Sequence, residues 1–210
     1  MDHARPIPSL FPGARGAVLD VLTRVQRGMT IRQLADRAGV SHPQVSRHVA
    51  DLERLGIIRR EHVGRSHVIT LTDTLATGLL RGMTGLRENV VHTMQRTATS
   101  IEPRPVAITL FGSFARGDDH ADSDIDVLVV VDDAMPEGAI DESLMEWCRG
   151  ITEITGNAVA EIVVTWSSLD AMDHTLRDAI ERDGISILRA QGSVEPRLQV
   201  VAEERAPYGP

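Results

Sequence analysis

The 210-residue chain predicts a mixed α/β protein, α+β in arrangement, built from two unlike units. Three observations carry this. Charge divides along the chain: residues 1–75 hold 11 Arg against 7 acidic residues, net +4, and the remainder holds 11 Arg against 23, net −12. The basic part carries two consecutive helix-start signals followed by a hairpin pattern. After residue 104, short apolar runs of strand length alternate with amphipathic helical stretches.

Composition narrows the class. An apolar fraction of 42% and a charged fraction of 25% are ordinary for a globular chain with real cores. No charge-free apolar run approaches the roughly 18 residues that a membrane span needs. The N-terminal MDHARPIPSLFPG lacks the apolar core of a signal peptide, so the expectation is a cytoplasmic protein with no membrane partner. Cys148 is the single cysteine, which excludes an internal disulfide, and its place on a helical stretch makes it a buried structural thiol. All 22 basic residues are Arg, and the eight histidines show no metal-binding spacing. The basic N-terminal part on an acidic chain points to a local polyanion-binding surface.

In the first unit, Val18, Leu19, Leu22 and Val25 recur at helical spacing over residues 14–27, and Gly28 ends that helix. Thr30 then reads as an N-cap with Gln33 at N3, a capping box, and Met29 staples onto Leu34. The device repeats after Gly39, with Ser41 as cap, Gln44 at N3 and Val40 stapling onto Val45. Val45, Val49, Leu52 and Leu55 make the buried stripe of the second helix. Two short capped helices joined by a Gly-Val-Ser turn form a helix-turn-helix with residues 42–55 as the recognition helix. Gln44, Ser46, Arg47 and His48 lie off the apolar stripe near its N-terminal end, where base edges are met. IIRRE and SHVITLT then read as a hairpin with His62 to Arg65 at its tip, a wing from which Arg65 and His67 reach a minor groove or phosphates.

Residues 14–74 thus resemble the winged helix-turn-helix domains of bacterial transcription regulators. The resemblance implies binding to double-stranded DNA, by default as a homodimer on a twofold operator. The alternative for such a domain is protein docking. Arg47, Arg59, Arg60 and Arg65 gain weight from their shared place on one module.

Residues 75–103 read as a helical connector. Leu75, Leu79, Met83, Leu86, Val90 and Met94 fall at spacings of three and four, predicting one long helix, with Gly78, Gly82 and Gly85 on another face. Pro103 and Pro105 close it. The divisions expected are a DNA-binding unit 1–74, the connector 75–103, a third unit 104–190, and a 191–210 tail expected to be poorly ordered.

The third unit opens with an apolar strand, Val106 to Phe111, running into GSFARG and then SDIDVLVV. Side chains at i and i+2 of a strand share a face, so Asp124 and Asp126 stand together. Two adjacent anions repel, and hard carboxylates of this kind suit Mg²⁺ or Mn²⁺. The Gly112–Ser113 turn just upstream offers backbone N–H groups and a hydroxyl to phosphate. Beyond it come a helix with Ile140, Leu144, Trp147, Ile151 and Ile154 on one side, a strand from Ala158 to Trp166, a helix capped by Ser167, and a last strand, Ile185 to Leu188. The acidic loop Asp118, Asp119, His120 and Asp122 reads as solvated.

GSFARG followed by SDIDVLVV resembles the signature of the polymerase-β-like nucleotidyltransferase superfamily, in particular its minimal bacterial members. The resemblance covers residues 104–190 and implies a short mixed sheet flanked by helices. It implies nucleotide binding by Gly112, Ser113, Arg116 and Gly117, and metal binding by Asp124 and Asp126. A third carboxylate on a neighbouring strand completes the site in that family, and Glu161 occupies the corresponding strand where Asp is usual. Asp124, Asp126 and Glu161 are therefore the candidate catalytic and metal-binding set, for Mg²⁺ (or Mn²⁺) and an NTP. The implied chemistry is transfer of a nucleoside monophosphate to an acceptor hydroxyl. Related minimal enzymes nucleotidylate toxin proteins, so the resemblance also allows an antitoxin-like autoregulator with a cognate toxin as protein acceptor. The competing reading is a transcription factor whose transferase-like domain senses nucleotide or mediates oligomerisation. The placement of Glu161 relative to Asp124 and Asp126 decides between them.

Overall fold

The computed structural model describes residues 2–64 and 66–189. These divide into two compact units, residues 2–87 and residues from 88 onward. The expectation for the 191–210 tail lies outside the described residues, as does Arg65.

The first unit comprises α1 (Pro6–Leu10), α2 (Ala14–Arg24), α3 (Ile31–Ala38), α4 (His42–Arg54), β1 (Ile58–Val63), β2 (Ser66–Leu71) and α5 (Leu75–Met83). The Thr30 capping box forms in full: Gln33 N donates to Thr30 Oγ1 (3.3 Å) and Thr30 N donates to Gln33 Oε1 (2.9 Å). At the start of α4 only part of the device forms. The Ser41 hydroxyl donates to Gln44 Oε1 (2.7 Å) instead of accepting from the helix backbone. Pro43, in the first turn, has no N–H to offer there. Val18, Leu34, Val45, Val49 and Leu52 form the core with Ile58 and Ile69 of the hairpin.

β1 and β2 pair antiparallel from Ile58↔Leu71 to Val63↔Ser66. Met29 adds a backbone pair to the hairpin, donating to Ile69 O (3.0 Å) and accepting from Ile69 N (2.8 Å). This fixes the register of the wing.

The connector is not one helix. α5 stops at Met83 and α6 runs Leu86–Ala98. Between them Thr84 N and Thr84 Oγ1 both donate to Arg81 O, and Gly85 follows, so the helical ladder is interrupted where Gly82 and Gly85 already lower helix propensity. The two halves serve different cores. Leu80 and Met83 of α5 pack with the winged-helix core, and Val90, Met94 and Ala98 of α6 with that of the second unit. Leu75 and Leu79, at the start of the apolar stripe that predicted one helix, are 92% and 75% exposed.

In the second unit α6 is followed by β3 (Ala107–Phe111), α7 (Gly112–Arg116), β4 (Ile125–Val131), α8 (Asp141–Thr155), β5 (Val159–Thr165), a 3-10 turn (Ser167–Ala171), α9 (His174–Asp183) and β6 (Ile185–Arg189). The sheet is short and mixed, ordered β5-β4-β3-β6, with β3 antiparallel to β4 and β6 and β4 parallel to β5. Ser167 does not cap a long helix. α9 starts later, where Asp173 accepts from Thr175 N (2.9 Å) and Leu176 N (3.2 Å).

Alternation along β4 divides this unit into two layers. Ile125, Val127, Val129 and Val131 face a core built with α6 and α8, which includes Val90, Met94, Leu144, Trp147 and Ile151. Leu128 and Val130 face the other way, with Phe111, under Ile180 of α9. Asp124 and Asp126 have the parity of Leu128 and Val130. The acidic pair therefore stands on the α9 side of the sheet.

Candidate functional site

The acidic site is built where β3 turns into α7. Gly112 has φ +73°, the left-handed region, and a Cβ added there would lie 2.1 Å from Asp126 Oδ2. Only glycine lets the turn sit against that carboxylate. Asp126 is half-buried and Asp124 exposed. Burial, and then the Asp124 charge, push the Asp126 carboxyl above its ordinary range, while the Arg116 charge pulls it partly back. The two carboxylates thus repel one another in the folded chain. Ser113 is half-buried beside Gly112, and Gly117, at φ +76°, closes α7 by donating to Ser113 O and Phe114 O. Arg116 Nε donates to Asp118 Oδ2 (3.2 Å), so this guanidinium lies among acidic groups.

The loop leading to Asp124 is held from a place that sequence reasoning overlooked. Asn157, buried just ahead of β5, donates through Nδ2 to Ser123 O (2.7 Å) and, at 3.4 Å, to His120 O and Ala121 O. His120 N donates to Ser123 Oγ (3.0 Å), and the His120 ring lies against the same hydroxyl. Asp119, expected on a solvated loop, is 3% exposed. No local signal marks this role, because the carbonyls that Asn157 holds lie 34 to 37 residues upstream.

Glu161 does not join Asp124 and Asp126. In the parallel register of β4 and β5, Asp126 pairs with Ala160 and Glu161 with Val127, and paired residues of neighbouring strands share a face. Glu161 therefore leaves the α8 side of the sheet. There its charge, after burial, helps push the Cys148 thiol up to about 12. The position beside Asp126 on β5 is Ala160, which has no ligand atom. Among the described residues no group of three or more His, Cys, Asp or Glu side chains is placed to hold a metal ion. Two carboxylates remain, which is a fit for Mg²⁺: that ion is commonly held by one or two carboxylates together with substrate phosphates.

On the winged unit, Val45, Val49 and Leu52 bury the inner face of α4. Arg47 is exposed and, two residues on from Val45, points away from it; Gln44 is exposed, and Ser46 and His48 flank the core half-buried. Arg54, further along the helix, is engaged by Asp51 (2.6 Å). Arg60 pairs with Glu53 of α4 (3.0 Å) and Arg59 with Glu61 (2.7 Å), so these two guanidinium groups are partnered within the unit. His67 is exposed on the wing. It stands directly across from His62, with ring centroids 3.9 Å apart at an interplanar angle of 55°. Histidine spacing therefore does yield a facing pair, which the hairpin register creates.

Comparison with known proteins places both units. Residues 11–67 match the model of the MarR family, and residues 95–184 match the nucleotidyltransferase domain. The chain thus joins a MarR-like, winged-helix DNA-binding domain to a nucleotidyltransferase domain. Similar solved structures include a toxin–antitoxin complex with AMP-PNP (23% identity, covering 50% of this chain and 74% of that one, TM-score 0.34). MepR, a transcription regulator of the Staphylococcus aureus multidrug efflux pump MepA, is 24% identical over 46% of this chain and 71% of its own, with TM-score 0.32. A nucleotidyltransferase-like protein from Sulfolobus solfataricus is 19% identical over 50% and 89%, with TM-score 0.30. No curated protein matches the chain. No helix among the described residues is long and apolar enough to cross a membrane.

Proposed function

We propose that this protein is a DNA-binding transcription regulator whose nucleotidyltransferase domain binds a metal–NTP complex as a signal and transfers nucleotide weakly or not at all. The observation that carries the reading is the pairing of Asp126 with Ala160 and of Glu161 with Val127. The acidic pair keeps the means to hold a nucleotide. Asp124 and Asp126 would hold Mg²⁺ or Mn²⁺, and the Gly112–Ser113 turn with Arg116 and Gly117 would receive the phosphates. A bound divalent ion supplies positive charge to the phosphates. Burial, and then repulsion by Asp124, raise the Asp126 carboxyl, and the same positive charge relieves that repulsion. What is lost is a carboxylate on β5 to activate an acceptor hydroxyl.

In this reading Arg116 exchanges Asp118 for phosphate when nucleotide binds. Gln44, Ser46, Arg47 and His48 of α4 read base edges, and Arg65 and His67 of the wing contact the backbone or minor groove. A homodimer on a twofold operator is the default geometry. Regulation follows if nucleotide binds the DNA-competent and incompetent states with different affinity.

The test is an operator titration with and without Mg²⁺ and each NTP, run beside a transfer assay with labelled NTP and candidate acceptors, a cognate toxin included. Nucleotide should shift operator affinity, and Asp124→Asn/Asp126→Asn should abolish the shift with DNA binding intact. Efficient labelling of an acceptor, abolished by the same double variant, would restore the transferase reading and sink this one.

A further inference from the structure

The facing histidines of the wing lie far in sequence from the acidic pair and belong to the other unit. His62 and His67 are direct cross-strand partners in β1 and β2, both exposed, with ring centroids 3.9 Å apart. Their register is not free to slip. Ile58 and Leu71 pair at the base of the hairpin, Ile69 is fully buried, and Met29 exchanges two backbone hydrogen bonds with Ile69. Two imidazoles on one tetrahedral ion, at about 2.0–2.1 Å from each nitrogen, need nitrogens roughly 3.3 Å apart. Directly opposed residues of an antiparallel pair have Cβ atoms about 4.5–5.5 Å apart, within the span from which two imidazoles turn one nitrogen each toward a shared ion. On the same hairpin face the next pair is Arg60 and Ile69, and Arg60 carries Glu53 of α4 as its ion partner (3.0 Å). The Glu53 carboxylate of α4 is thus engaged by Arg60, and Glu61, next to His62, by Arg59 (2.7 Å).

We propose that His62 and His67 form a two-imidazole site for a borderline divalent transition-metal ion, with Zn²⁺, Ni²⁺ and Cu²⁺ as the class. Imidazole suits these ions and not Mg²⁺, which the hard carboxylates of the acidic pair select. Each histidine ligates through a ring nitrogen that carries no proton. Two protein ligands leave the remaining coordination positions to water or to an oxygen of a neighbouring phosphate, so occupancy places two positive charges on the wing.

The test uses the full chain without an affinity tag, in excess Mg²⁺ so that the acidic pair is saturated. Zn²⁺ affinity is measured by competition with a chromophoric chelator, and Cu²⁺ ligation by electron paramagnetic resonance. One Zn²⁺ per chain is expected. His62→Ala and His67→Ala should each weaken it by more than about tenfold, since a lost ligand costs more than a lost outer-shell partner. The Cu²⁺ spectrum should report two imidazole nitrogens in the wild type and one in either variant. His92→Ala, on exposed α6 surface, should change neither readout. Circular dichroism confirms that the variants are folded. Equal Zn²⁺ affinity in wild type and His62→Ala, or loss of binding with His92→Ala alone, would overturn the site.

Discussion

Gly112→Ala tests the geometry of the acidic site directly. The new Cβ would lie 2.1 Å from Asp126 Oδ2, and an ordinary carbon–oxygen contact is about 1 Å longer, so the carboxylate must move by about that much. Metal–ligand distances tolerate only about 0.2 Å, so the displaced oxygen no longer shares an ion with Asp124 in the same geometry. The backbone adds its own cost: about 1–2 kcal/mol for a non-glycine residue in the left-handed region, and about 1–3 kcal/mol for overpacking. The sum, about 2–5 kcal/mol, corresponds to a melting shift of about 10 °C or more for a unit of this size. Trp147 and Trp166 are the two tryptophans of the chain and both belong to the second unit, so tryptophan fluorescence follows its melting separately from the winged helix. Gly150→Ala in α8 is the internal control. Nothing lies within 4 Å of its added Cβ, and Ala should stabilise that helix by about 0.5–1 kcal/mol. Mg²⁺–NTP binding by calorimetry should be lost in Gly112→Ala and retained in Gly150→Ala. A Gly112→Ala protein with wild-type melting and nucleotide affinity would refute the close approach of Gly112 and Asp126.

Three further outcomes are expected. Asp126→Asn removes a carboxyl whose folded pKa is raised from 3.8. Such a group favours the folded state at low pH and loses that contribution as pH rises through its folded value, so the variant should melt above wild type at pH 7, with the gap closing below about pH 4. Mg²⁺ should raise the wild-type melting temperature and leave that of the variant unchanged. Ala160→Asp places a third carboxylate beside Asp126 and should lower metal-free stability, raise Mn²⁺ affinity and increase nucleotide transfer in the labelled-NTP assay. Arg47→Ala should weaken operator binding by about tenfold or more in a mobility-shift titration, whereas Arg149→Ala on α8 should not, and wild-type binding should fall steeply with salt.

Local signals in the sequence were enough for the Thr30 cap, the glycine turn at 112 and the acidic pair, because each depends on residues within a few positions of one another. The face of Glu161 depends on something else. VAEIVVT has no polar–apolar alternation, so its phase relative to β4 is set by pairing alone, beginning where Ile125 N donates to Ala158 O (2.8 Å). The two-core role of the connector was hidden for a similar reason. Its apolar residues keep a helical period across Thr84–Gly85, and periodicity cannot say that the ladder breaks there or which core each half joins. His62 and His67 became a pair only once the hairpin register was known. Asn157 shares this character, since its partners lie more than 30 residues upstream.

The parallel pairing of β4 and β5 also bears on how such a domain changes over evolutionary time. Glu161 is out of phase with the acidic face by a single residue, and strand parity converts one inserted or deleted residue into a change of face for everything that follows. β5 is an edge strand whose middle residues Glu161, Ile162 and Val163 are exposed, while Val159 and Val164 pack against the two cores, so a shift there trades core contacts at its ends only. A deletion at Ala158, between the Asn157 anchor and β5, would set glutamate beside Asp126 with the anchor in place. One codon then separates a β5 that sets alanine beside Asp126 from one that sets glutamate there.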